Sequence, residues 1–223
     1  MFHLILSVIL AHVPTMPARP PDGTYTYALV QGSGSTIFKS TVVVRSGGST
    51  FDVSETAKLP NGATATTTTT WSSATLLPLN YELHQGTVYI RGAVAPASVK
   101  FSGTNGSVAL RPLSYTLVLG TRYMLVYEGL NAFRMMLPYV IAAHPGESAT
   151  VGHINGVQRE RAWASTALPL RGGPSGDVVS VVTLDSSLRE ERLTVWRNPK
   201  SGVIDEERVS PGNAGMTLLN YVP

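Results

Sequence analysis

The chain of 223 residues contains no cysteine. That excludes a disulfide framework, a thiolate nucleophile and a cysteine-borne lipid anchor, while remaining compatible with an oxidising compartment. Charge is sparse as well. Seventeen basic and 14 acidic residues give a formal +3, and the arginines scatter without forming a run. A nucleic-acid footprint needs clustered basic residues, so that class is excluded. No His-x-x-x-His or His-Glu-x-x-His pair, Gly-x-Ser-x-Gly elbow or complete dinucleotide fingerprint occurs. No long Pro- or Ser-rich linker divides the chain, so one large β domain is favoured over two small ones.

What the sequence does contain is alternation. Short apolar–polar segments recur between Gly, Asn-Gly and Pro punctuation, on the order of a dozen strands at the spacing of a meander. In 24–30, Tyr25, Tyr27 and Leu29 share a face, and in 50–58 Phe51 and Val53 oppose Asp52, Ser54, Thr56 and Lys58. The threonine run 66–70 is expected as a strand, because β-branched side chains suit a pleated sheet. Asn61-Gly62, Asn105-Gly106 and Asn155-Gly156 signal hairpins. Glu190, Glu191, Glu206 and Glu207 are expected to pair across one hairpin with Arg189, Arg192 and Arg208.

One stretch breaks the pattern. In 127–144, YEGLNAFRMMLPYVIAAH, residues Leu130, Phe133, Leu137, Val140 and Ile141 recur at helical spacing. Asn131 or Glu128 is placed to cap the start and Pro145-Gly146 to end it. Pro138 predicts a kink, or two helical pieces meeting there. Glu128, Arg134 and Pro138 interrupt the apolar run, which is too short to span a bilayer. The expected fold is therefore all-β with one helical insert: an antiparallel, strongly curved meander forming an open half-barrel covered by a short helix.

At the N-terminus, Leu4 to Val13 form an apolar run with no acidic residue, as in a secretory signal. Residues 1–20 are read as a signal peptide and 21–223 as a single β-rich half-barrel domain. The mature chain is expected in the periplasm or outside the cell, with no transmembrane span.

The segment 193–208, LTVWRNPKSGVIDEER, joins a Trp-bearing strand, an Asn-Pro-x-Ser-Gly turn and a returning strand. Together with Gly23-Thr24-Tyr25-Thr26-Tyr27 and the segment 74–81, ATLLPLNY, it resembles periplasmic half-barrel domains of unknown function. More distantly it resembles the lipoprotein-localisation factors, and that resemblance implies a concave sheet with a helical lid that shelters acyl chains.

No catalytic constellation stands out, and no cofactor or metal is expected. His144, His153 and Glu147 are the nearest approach to a metal site, but a solvated histidine near a helix end is the commoner case. The candidate cavity lining is apolar: Leu130, Phe133, Met136 and Leu137 on the insert, with Trp71, Tyr89, Trp163 and Trp196 on strands. Methionine there offers adaptable contacts to a greasy ligand. The leading expectation is an exported non-enzymatic protein binding a lipid, an acyl chain or a lipidated partner. An envelope structural or interaction module without ligand is the alternative, and a secreted hydrolase the second alternative.

Overall fold

The computed structural model describes residues 19–31, 34–127, 130–155, 158–159, 163–167, 171–172, 178–184, 189–198, 201–210 and 215–223, with backbone alone for 153–193 and 209–210. Of the expected signal segment, residues 1–18 lie outside the described residues.

Alternating sequence produces a run of antiparallel hairpins: β1 (Gly23–Val30), β2 (Thr36–Gly47), β3 (Thr50–Lys58), β4 (Thr64–Ser72), β5 (Pro78–Gln85), β6 (Val88–Ala95) and β7 (Ser98–Asn105). The short strands β8 (Val108–Ala109) and β9 (Leu113–Thr116) both pair with β7. Next, β10 (Tyr123–Tyr127) leads through α1 (Asn131–Ala143) to β11 (Ser148–Asn155). Antiparallel pairing resumes in β12 (Gln158–Arg159), β13 (Trp163–Ala167), β14 (Arg171–Gly172), β15 (Val178–Leu184), β16 (Arg189–Arg197), β17 (Ile204–Ser210) and β18 (Gly215–Val222).

β18 pairs with β1, with Thr24 opposite Val222, and this contact fuses both runs into one ladder. The ladder ends at β9 on one side and β10 on the other, and no pairing joins those two among the described residues. The sheet is therefore curled and open, as the alternation and the single insert predict.

Three clusters organise the interior. The largest draws Tyr25, Val42, Phe51, Trp71, Val195 and Met216 from the sheet around Met135, Met136, Tyr139 and Ile141 of α1. A second joins β5, β6, β7 and β9 through Tyr81, Ile90, Phe101 and Tyr115, and a third gathers Leu29, Phe38 and Ala57 under Leu130. β10 bridges the first two. Tyr123 and Leu125 face the helix, while Met124 and Val126 face the second cluster. Such two-sided burial belongs to a strand covered on both faces, so β10 is continuously apolar where its neighbours alternate.

Several expectations need correction. The pairing is not antiparallel throughout, because β10 and β11 run parallel on either side of α1. A helical connection is what a parallel pair requires, since a tight turn cannot reverse the chain twice. The closing strand β18 was not foreseen. The helix passes through Pro138 as one element, not two pieces. The turn at Asn61-Gly62 is wider than a two-residue hairpin: Leu59 N–H donates to the Ala63 carbonyl at 2.8 Å, enclosing Pro60, Asn61 and Gly62, with Gly62 at φ 82°. A left-handed residue at that place is typical of three-residue hairpin loops. Finally, Glu190 and Glu191 lie opposite Thr183 and Val182, and Glu206 and Glu207 lie opposite Trp196 and Val195, so in the backbone register none of the four glutamates stands directly opposite an arginine as expected.

Candidate functional site

Helix α1 packs inside the curled sheet, its Met135, Met136, Tyr139 and Ile141 among Tyr25, Val42, Phe51 and Met216. Its first turn has free amide N–H groups that a preceding side chain usually accepts. Leu130 at the N-cap offers no acceptor, Asn131 is the first helical residue and not the cap expected of it, and Glu128 lies outside the described residues. The acceptor comes from β3. Glu55 Oε1 accepts the Asn131 amide at 3.1 Å and Oε2 the Ala132 amide at 2.6 Å. Asn131 Nδ2 donates in turn to Ser40 Oγ at 2.9 Å. Glu55 lies on the inward face of β3 between Val53 and Ala57, fully buried. Its parity along the strand is that of Phe51 and Val53, and that signal was present in the sequence. Burial raises its pKa, opposed by hydrogen bonds from Ser40 and from the Ala132 and Asn131 amides.

A second buried acid holds the same helix. Arg134 Nη1 donates to Glu207 Oε1 at 3.0 Å, and Arg134 Nη2 donates to the Tyr127 hydroxyl at 3.4 Å. Glu207 is 1% exposed, and burial pushes its pKa up to about 7 against the pull of Arg134. Further along, Tyr139 Oη donates to the Gly202 carbonyl at 2.9 Å. At the C-terminal end, the two ring nitrogens of His144 face the Thr75 carbonyl at 2.7 Å and Glu147 Oε2 at 3.1 Å. The helix is thus tied to β2, β3, β10, β17 and two loops by polar contacts, beyond its apolar packing.

The predicted lining residues do not share one cavity. Met136 and Trp71 are buried in the main cluster, with Phe133 and Leu137 packed against it. Leu130 belongs to the separate cluster at the helix start. Tyr89 lies on the other face of β6 from Val88 and Ile90, its ring 4.5 Å from that of His84. Trp196 likewise alternates with buried Val195, and the Arg208 guanidinium sits over its ring at 5.6 Å. The side chains of Trp163 and His153 lie outside the described residues. The void beside the helix, bordered by Val53, Thr69, Trp71, Val126, Ala132 and Phe133, measures about 10 Å³. That is room for about one water molecule and not for an acyl chain.

A larger hollow lies elsewhere. An open groove of about 630 Å³ runs over β4, β5, β6 and β7, bordered by Thr68, Thr70, Asn80, Glu82, Arg91 and Lys100. Strand pairing sets these residues in rows, with Glu82 opposite Arg91, Thr68 opposite Glu82 and Thr70 opposite Asn80. Tyr89 Oη donates to Glu82 Oε1 at 3.4 Å, and Arg91 Nε donates to Ser102 Oγ at 3.4 Å. Sequence reasoning overlooked this groove because each strand contributes two or three ordinary surface residues to it.

Fold and interior together define an open, helix-filled β-barrel-like domain. No family model matches the chain, and no curated protein does. Among solved structures it is similar to a beta-barrel-like protein of domain of unknown function DUF1849 from Brucella abortus, at 12% identity and a TM-score of 0.48, covering 92% of this chain and 97% of that one. Among the described residues no helix is long and apolar enough to cross a membrane.

Proposed function

We propose that the chain is an exported, non-enzymatic interaction module of the cell envelope, periplasmic or secreted, that works through its outer surface. The observation that carries this reading is the occupied interior: Met135, Met136, Tyr139, Val140 and Ile141 are each at most 1% exposed inside the curled sheet. A lipid or acyl ligand would have to displace α1, and with it the Glu55 and Glu207 contacts. Displacement would leave two buried carboxylates unpaired, a cost of several kcal/mol each. Burial raises the pKa of both acids, and both serve the helix, which leaves them unsuited to acid–base work on a substrate. Export rests on the apolar run from Leu4 to Val13.

Native mass spectrometry with lipid extraction, on mature protein purified from its own host, tests the reading. The expected result is a clean apo mass and no uptake of a fluorescent fatty-acid probe. A co-purifying acyl species that disappears on Phe133→Glu or Leu137→Glu would overturn it in favour of lipid carriage.

A further inference from the structure

We propose that the groove over β4 to β7 binds an uncharged oligosaccharide. The inference rests on the reading above, since it names what the outer surface meets. Its chemistry is what points to the ligand. Arg91 and Lys100 only donate hydrogen bonds and Glu82 only accepts, whereas Asn80, Thr68 and Thr70 do both. A sugar hydroxyl is itself donor and acceptor, so a chain of hydroxyls finds a partner for each role along this surface.

The geometry agrees with the chemistry. Thr70, Asn80, Ala93 and Lys100 form one cross-strand row, and Thr68, Glu82, Arg91 and Ser102 the next. Neighbouring strands lie about 4.8 Å apart, so four strands give a row of about 14 Å. That spacing is close to the rise of successive sugar rings in an extended glycan. Beside these rows, the Tyr89 ring packs against that of His84 while its hydroxyl donates to Glu82 and orients that carboxylate along the groove.

Other ligand classes fit less well. A polyanion would meet Glu82 in the middle of the groove, directly opposite Arg91, which cancels the nearest positive charge. A greasy molecule would strip water from Asn80, Glu82, Arg91 and Lys100 without replacing their hydrogen bonds. An extended peptide adds to a sheet at a free edge, but β4, β5, β6 and β7 are each paired on both sides. The volume lies within the usual range for a small-molecule site.

Titration of the ¹⁵N-labelled mature protein with chitotetraose, cellotetraose and maltotetraose tests the proposal. At least one should give saturable shifts confined to the amides of 68–70, 80–82, 91–93 and 100–102. The double variant Asn80→Ala/Arg91→Ala should bind about tenfold more weakly, the loss expected for one or two hydrogen bonds. Lys58→Ala, on the outer face of β3 away from the groove, should bind as the native chain does. Native-like spectra of the variants establish that they fold. No saturable shift with any of the three sugars would overturn the proposal. So would shifts elsewhere on the protein, or tight salt-sensitive binding of a sulfated tetrasaccharide in their place. None of these outcomes bears on lipid content, so the module reading and this one fail separately.

Discussion

Glu55 Oε2 and the Ala132 amide nitrogen are 2.6 Å apart, although 77 positions separate the two residues in the chain. The helix is therefore capped by the sheet it packs against, and secondary and tertiary structure form together at this point. An acidic group at a helix N-terminus also meets the positive end of the helix dipole.

Removing that acceptor should be costly. Glu55→Ala leaves the Asn131 and Ala132 amides buried without partners, each worth about 1–3 kcal/mol. The expected loss is about 2–4 kcal/mol, read as a lower urea midpoint at unchanged m-value. Glu55→Gln keeps an acceptor oxygen and the volume, and should lose less than half as much. Equal losses for both variants would mean that charge, not acceptance, is what the helix needs.

Glu207 makes stability depend on pH. Its folded pKa, about 7, lies above the ordinary 4.5 because burial disfavours the carboxylate. Between those values the folded chain binds more protons than the unfolded one, so stability falls as pH rises from about 4.5 to 7. Glu55 and Asp205 are shifted in the same direction, while hydrogen bonds from Ser46 and Arg19 lower Asp22. All three remain in Glu207→Gln, so the difference between the two proteins isolates Glu207. The variant should show a flatter profile over that window, by about 1–3 kcal/mol across it. Parallel profiles would show that Arg134 keeps Glu207 ionised throughout.

Much of this arrangement can be read from the sequence, and the unread part has a common cause. Alternation finds the strands because side chains take opposite faces in turn, and α1 is found because its apolar period changes. What local pattern lacks is partner identity. Glu207 belongs to a Glu-Arg-rich hairpin in sequence, yet its partner, Arg134, is 73 positions away on the helix. The parallel pair of β10 and β11 and the pairing of β18 with β1 are likewise long-range choices. Glu55 is different: it shares the inward parity of Phe51 and Val53, which is legible in the sequence, although a carboxylate is ordinarily a surface residue.

Close backbone approach makes a further prediction at Gly103. A Cβ there would lie 2.2 Å from the Tyr89 carbonyl oxygen, a backbone atom held in the β6–β7 ladder. The clash cannot be relieved by rotating a side chain. Gly103→Ala should cost about 1–3 kcal/mol and shift the amides of β6 and β7 in an HSQC spectrum. A variant as stable as the native chain would show that the two strands can part locally.

The sequence pattern puts Met136 and Trp196 in one pocket lining, and the fold sets them apart, which gives the clearest test of the interior. Met136 is fully buried in the main cluster among sheet and helix residues. Met136→Ala should remove its contacts and leave a cavity, at about 2–5 kcal/mol. Trp196 points outward from β16 with the Arg208 guanidinium over its ring at 5.6 Å. Trp196→Ala loses that contact and partial burial only, at about 1 kcal/mol. Urea unfolding of both variants under one buffer decides between the two arrangements. A shared ligand pocket predicts that both are mild and that apo stability hardly changes, because a lining residue packs against ligand more than against neighbours. A helix-filled barrel predicts a wide gap, with Met136→Ala far the more damaging.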